Sequence, residues 1–298
     1  MRTSPHITNG APPSETDAGG DPDHVRQGDI IQWESAVSPW RVMAVIVTAD
    51  CDIVESKHAG TLSYVPVLGL HDYWRLVTLP RMIDNYLAKT FRRGLVERVK
   101  SLRRTFRPEF PDDPSEDAIF DILRLEPGDM MKTLGIPESE QEAPLRHVNA
   151  YKAALTLTDD MTVDQLATIM AELRVASDPK KPPSAAGVLD DLPESVTKLP
   201  GDAFFIGRIA GVAESAFVAY LRLVRELSSA AVAILPRELR RSGVQARRIA
   251  HLRSPFVYRL TQQLAQVFSD IGLPRDYETQ RKVLAGNVRH GLPSSPPK

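Results

Sequence analysis

Gly28-Asp29-Ile30-Ile31-Gln32-Trp33, then Val42-Met43-Ala44-Val45-Ile46-Val47-Thr48, then Leu62-Ser63-Tyr64-Val65-Pro66-Val67 are three short apolar runs rich in β-branched residues. They are separated by Ser38-Pro39 and by His58-Ala59-Gly60, so they read as strands joined by turns. Three strands alone leave open edges and little core, so they need completion from elsewhere in the chain.

That completion is sought downstream. Ala203-Phe204-Phe205-Ile206-Gly207-Arg208-Ile209-Ala210 and Ala216 to Val224 read as a hairpin across Gly211 to Ser215. Between the two β regions the period is helical. Met82, Tyr86, Leu87, Phe91, Leu95, Val96, Val99 and Leu102 form one apolar face. Thr162-Val163-Asp164-Gln165 has the form of a capping box ahead of Leu166, Ile169, Met170 and Leu173. Near the end, Val257, Leu260, Leu264, Val267, Phe268 and Ile271 repeat at helical spacing after Ser254-Pro255 and before Gly272. His71-Asp72-Tyr73-Trp74 reads as a loop. Proline and glycine mark the remaining boundaries. Residues 1–27 read as a disordered tail, 28–79 as the first strands of a small β-barrel, and 80–176 as a helical insertion. Residues 177–200 read as a proline-rich linker, 201–290 as a hairpin with C-terminal helices, and 291–298 as a second tail.

Composition excludes several classes. The chain has 298 residues, 37 Lys+Arg against 38 Asp+Glu, and one cysteine. At roughly 150 residues per domain the length allows one large or two smaller domains, each able to bury a core without a metal or disulfide. Cys51 alone excludes a disulfide framework and a multi-cysteine metal site, and fits a reducing compartment. No apolar run approaches the ~20 residues that span a bilayer, and residues 1–27 lack the apolar segment of a signal peptide, so a cytoplasmic protein with no membrane partner is expected. The seven histidines never pair at metal-ligand spacing. Phosphate-binding glycine loops, nucleophile elbows and kinase signatures are missing, which argues against ATP-driven enzymes and hydrolases of those types.

Two constellations carry candidate chemistry. In Thr48-Ala49-Asp50-Cys51-Asp52, at the end of the second run, a strand would place Asp50 and Asp52 on one face, where paired carboxylates hold a divalent cation or share a proton. The competing reading is an Asx-type turn that ends the strand. Cys51, flanked by acids, is expected as a small buried apolar residue rather than a nucleophile. The second constellation is charge. From Arg81 to Arg104 eight basic residues face two acidic ones, and from Pro108 to Leu145 eleven acidic residues face two basic ones. From Leu221 to Arg259 nine arginines face two glutamates. The doublets Arg92-Arg93, Arg103-Arg104, Arg240-Arg241 and Arg247-Arg248 have the fork geometry that pairs with phosphates. Alternatively, they balance the acidic block within the fold or across a subunit interface.

The three opening runs resemble the start of the MazF/PemK-like SH3-barrel toxin endoribonucleases: Gly-Asp-Ile, an Arg before a Val-rich strand ending in Thr, and a third strand carrying Pro. The resemblance spans residues 28–67 and departs from the family at Arg41-Val42, where the family has Arg-Pro. It implies a small SH3-like β-barrel; with the helical spacing read above, the expected architecture is an α+β chain in which that barrel carries a large helical insertion and a C-terminal helix. It also implies that Arg41 and Thr48 would act on an RNA phosphodiester.

Two functions follow as expectations. One is a cytoplasmic regulatory module of a prokaryotic conflict system, of the phage-defence or toxin–antitoxin type, binding nucleic acid or a partner protein and needing no cofactor. The other is a nuclease, using either Arg41 and Thr48 without metal or Mg²⁺ at Asp50 and Asp52. Both admit a homo-oligomer.

Overall fold

The computed structural model describes residues 15–18, 24–109, 114–177 and 184–269. Residues 1–14, 19–23 and the whole of 270–298, including the second tail, lie outside the described residues. The strands are β1 (Thr16–Asp17), β2 (Asp29–Trp33), β3 (Met43–Ile46), β4 (Thr61–Gly69), β5 (Ala203–Arg208), β6 (Ser215–Tyr220), β7 (Arg225–Ser228), β8 (Val232–Ala233) and β9 (Ala246–Leu252). They form one sheet in the order β1-β9-β2-β3-β4-β6-β5, with β7 beside β4 and β8 beside β9. Only the β8–β9 pairing is parallel. The result is a nearly closed, antiparallel, barrel-like sheet.

Why the opening runs are apolar on both sides follows from packing. Ile30, Met43, Val45, Val65 and Val67 enter one core with Phe217 and Leu252. Their neighbours Ile31, Trp33, Ala44, Ile46, Leu62 and Tyr64 enter a second core on the other face. A strand buried on both faces loses the apolar–polar alternation of a half-exposed one. β4 bends between the two: Thr61–Tyr64 pair with β7, and Val67–Gly69 pair with β6. Pro66 lies at the changeover, where a missing N–H costs no ladder bond on that edge.

Several boundaries differ from the sequence reading. β1 falls inside the stretch read as a tail. Its pairing with β9 is reinforced by Thr16 Oγ1, which donates to the Arg208 carbonyl at 3.0 Å and accepts from the Ala210 N–H at 2.8 Å. The second hairpin strand stops at Tyr220, and the arginine-rich stretch after it supplies β7, β8 and β9.

After the short helix α1 (Asp50–Val54), the helical insertion separates β4 from β5. It opens as a continuous rod over 70–106: α2 (Leu70–Tyr73), a π turn (Trp74–Thr78), α3 (Leu79–Tyr86), a second π turn (Leu87–Phe91) and α4 (Arg92–Phe106). His71 to Trp74 is therefore helix rather than loop, with Tyr73 buried and Arg75 bonded back to Asp72 at 3.0 Å. The first π turn lies directly ahead of Pro80, whose ring conflicts with the carbonyl one turn earlier in a regular helix. α5 (Glu116–Arg124), α6 (Pro127–Leu134), α7 (Glu142–Leu155), α8 (Val163–Ser177) and α9 (Ala185–Thr197) complete a separate, all-helical core. The expected capping box starts α8: Gln165 N–H donates to Thr162 Oγ1 at 3.2 Å, and Gln165 Oε1 accepts from Thr162 N–H at 2.8 Å. The stretch read as a linker holds α9, capped by Ser184 and burying Val188 and Leu192. α10 (Phe256–Ser269) packs Val257, Leu260 and Val267 against the barrel. Among the described residues no helix is long and apolar enough to cross a membrane.

Candidate functional site

Arg41 and Thr48 sit at opposite ends of β3. Arg41 closes a 3-10 turn (Pro39–Arg41), and Thr48 follows the strand, roughly 20 Å away at the rise of an extended chain. The Thr48 hydroxyl accepts from the Ser63 N–H at 2.6 Å, which makes it a substitute rung of the β3–β4 ladder. The structure therefore does not bring these two side chains together.

Asp50 and Asp52 lie on α1 rather than on an extended strand end. Residues two apart on a helical turn point to different sides, so the carboxylates diverge instead of sharing a cation. Asp50 Oδ1 accepts from the Gln27 N–H at 2.6 Å, tying α1 to the approach of β2. Among the described residues no group of three or more His, Cys, Asp or Glu is placed to hold a metal ion. Cys51 is exposed, not buried, because the helical turn directs it to solvent.

The arginine doublets divide. Arg248 turns inward: its Nε donates to Asp29 Oδ1 at 2.8 Å, with side-chain exposures of 5% and 0%. His251 Nδ1 lies 2.9 Å from the same oxygen, and the Arg26 N–H donates to Asp29 Oδ2 at 2.8 Å. This cluster pins β2 to β9 and takes Arg248 out of the phosphate-facing set. Arg247, on the outer side of β9, reaches Gln32 at 3.0 Å and Glu34 at 3.7 Å. Arg241 donates to the Ala230 carbonyl at 2.9 Å and braces the turn between β7 and β8, whereas Arg240 is exposed. On α4, Arg92 lies over the Phe120 ring at 4.4 Å, beside the acidic helix α5. Arg93 and Arg104 are exposed, and Arg103 is partly covered. Residues 93, 97, 100 and 104 follow one face, opposite buried Leu95 and Val99. That face carries Arg93, Lys100 and Arg104, with Glu97 bonded to Lys100 at 3.4 Å.

A further cluster was not foreseen. Asp202, buried in the turn before β5, accepts a bidentate pair from Arg81, Nη1 to Oδ1 at 3.2 Å and Nη2 to Oδ2 at 2.7 Å. Arg222, in the loop after β6, donates its Nε to the same Oδ2. Arg81 Nη2 also donates to the Tyr220 hydroxyl at 2.7 Å, and Tyr220 packs on Trp40 with ring centroids 5.7 Å apart. Burial pushes the Asp202 carboxyl up, and the hydrogen bonds from Arg81 and Arg222 outweigh it and hold the group below the ordinary carboxylate range. The same carboxylate raises Arg81, whereas burial pushes the Tyr73 hydroxyl up to about 12. Arg81, Asp202 and Arg222 edge a cleft of about 930 Å³ between the insertion and the barrel, lined also by Asn85, Gly201 and Gln266. Only the Gly201-Asp202 turn signal was visible locally, because the partners come from positions 81, 202 and 222.

In comparisons with protein-family models, with curated proteins and with solved structures, none matches this chain.

Proposed function

We propose that this protein is a non-catalytic nucleic-acid-binding module in which the barrel anchors the helical rod and α4 meets the phosphate backbone. The observation that carries this reading is the basic outer face of α4, which bears Arg93, Lys100 and Arg104 while Leu95, Val96 and Val99 hold the helix in the core. A helix fixed on one side presents its charges at constant spacing, and guanidinium groups pair with phosphate oxygens bidentately. The acidic helix α5 meets the Arg92 side of α4 and leaves the Arg93 and Arg104 face exposed.

We further read the sheet as an SH3-like barrel. Support comes from strands β2, β3, β4, β7, β8 and β9 surrounding the core of Ile31, Trp33, Ala44, Ile46, Leu62 and Tyr64, with a 3-10 turn (Ser229–Ala231) linking β7 to β8. A role in a prokaryotic conflict system rests on the resemblance to toxin barrels, and a cytoplasmic location on the single cysteine, Cys51. The nuclease reading has less support, since Arg41, Thr48, Asp50 and Asp52 do not converge.

The test is fluorescence anisotropy with labelled single-stranded RNA and duplex DNA across a salt series. Two or three phosphate contacts give a slope of log affinity on log salt of about −1.4 to −2.7. The double substitution Arg93→Glu/Arg104→Glu is expected to abolish binding with the fold intact. A flat salt dependence, or full binding by that variant, refutes the reading.

A further inference from the structure

The Arg81–Asp202–Arg222 cluster holds more positive charge than a structural link needs. Arg81 alone bonds both oxygens of Asp202 and ties the insertion to the hairpin. Arg222 adds a second guanidinium through its Nε only, and its side chain remains 58% exposed. Its two terminal nitrogens thus have no partner among the described residues and are oriented by the carboxylate behind them. One carboxylate between two guanidiniums leaves the cluster a net cation at the edge of a cleft of about 930 Å³. Asn85 and Gln266 line the same space with neutral amides that both donate and accept. Asp84 is the one further carboxylate among the lining residues, and it has no ion-pair partner among the described residues.

We propose that this cleft binds a phosphate monoester carried on a group of nucleoside size, with the terminal nitrogens of Arg222 as the phosphate fork. Geometry favours phosphate: a preoriented guanidinium edge suits two phosphate oxygens. The volume falls in the range of small-molecule sites, and the amides supply donors and acceptors for the attached group. The monoester comes either from a free mononucleotide or from the phosphorylated end of a strand. The site does not depend on the α4 reading, because none of its lining residues belongs to α4.

Isothermal titration calorimetry on the full chain tests it with AMP, inorganic phosphate and acetate at constant ionic strength, alongside a short oligonucleotide with 5′-phosphate or 5′-hydroxyl. Saturable AMP binding is expected, at least tenfold tighter than inorganic phosphate, with acetate showing none. Arg222→Gln is expected to weaken AMP at least tenfold while its thermal unfolding and circular dichroism match the parent. Should that variant unfold, Arg222→Lys keeps the charge without the fork and is still expected to lose at least tenfold. A 5′-phosphate that tightens oligonucleotide binding in the parent but not in the variant identifies the strand end as the source, and no such gain identifies the free nucleotide. Absence of saturable AMP binding, equal binding of acetate, or an unchanged affinity in a folded Arg222 variant overturns the proposal.

Discussion

Removing the Asp29 carboxylate by Asp29→Ala probes the link between β2 and β9. In the native state this group is fully buried and accepts from Arg248 Nε at 2.8 Å and from the Arg26 N–H at 2.8 Å, with His251 Nδ1 at 2.9 Å. The substitution takes the buried carboxylate away from a guanidinium whose side chain is itself only 5% exposed. Breaking a buried pair from one side costs about 3–5 kcal/mol, because the remaining charge keeps its desolvation penalty and loses the hydrogen bond to the carboxylate. At about 2.1 cal/mol/K of unfolding entropy per residue, a chain of 298 residues loses roughly 5–8 °C in melting temperature. Urea unfolding followed by circular dichroism supplies the free-energy difference, and differential scanning calorimetry supplies the melting temperature. The double substitution Asp29→Leu/Arg248→Met removes both charges and is expected to recover most of the loss, since apolar replacement of a whole buried pair is often neutral or stabilising. A single-substitution loss below about 1 kcal/mol, the value typical of an exposed pair, refutes the assignment of this cluster as the barrel's polar staple.

Three other outcomes are expected. Gly28→Ala forces an L side chain to a φ of 88° and places its Cβ 2.7 Å from Val257 Cγ2, so a loss of about 1–3 kcal/mol by urea titration is anticipated; an unchanged midpoint contradicts it. Thr162→Ala removes the hydroxyl that receives the Gln165 N–H and lowers stability by about 1 kcal/mol, while Gln165→Ala, which removes the reciprocal bond, gives a loss of the same sign. Burial, aided by repulsion from Arg98 and Arg146, lowers the basicity of His147 below its ordinary value of 6.5. The unfolded chain therefore takes up the proton first. Stability from this residue is complete above 6.5 and is lost as pH falls towards the folded-state value, a decline that His147→Gln flattens in melting curves between pH 7.5 and 5.

How much of this was legible depended on how local the determinants are. The three opening strands announce themselves because each run is predominantly apolar and β-branched at successive positions, and both faces of the sheet are in fact covered. The capping box of α8 and the apolar stripe of α10 are equally local. β9 was hidden by its own charge. In Ala246-Arg247-Arg248-Ile249-Ala250-His251-Leu252 the alternation of a strand is present, with Ala246, Ala250 and Leu252 buried, but the arginine doublet drew the reading towards a phosphate contact. Its partner β2 lies more than two hundred residues earlier, and so does the Asp29 that neutralises Arg248. α9 was obscured by composition: prolines on either side and Pro193 within it suggested a linker, whereas Ser184 and the apolar pair Val188 and Leu192 were enough for a short packed helix. The Asp202 cluster had no local signature, because a bidentate pair between residues 81 and 202 exists only once the insertion has folded back on the hairpin.

The two arginine–carboxylate clusters show why counting charges does not locate a site. Each centres on a buried aspartate, and each recruits more than one cationic or potentially cationic group. At Asp29 the guanidinium is enclosed with the carboxylate, and the electrostatic gain goes into holding two strands in register. At Asp202 the carboxylate is equally buried, but Arg222 stays largely exposed and is aimed by its Nε at a cleft. Replacing an enclosed partner exposes a buried charge, whereas replacing an exposed one removes a donor that already faces solvent. The physical signature of function here is therefore an asymmetry of burial within one ion-pair cluster. Variants of Arg248 are expected to change stability, and variants of Arg222 to change ligand affinity.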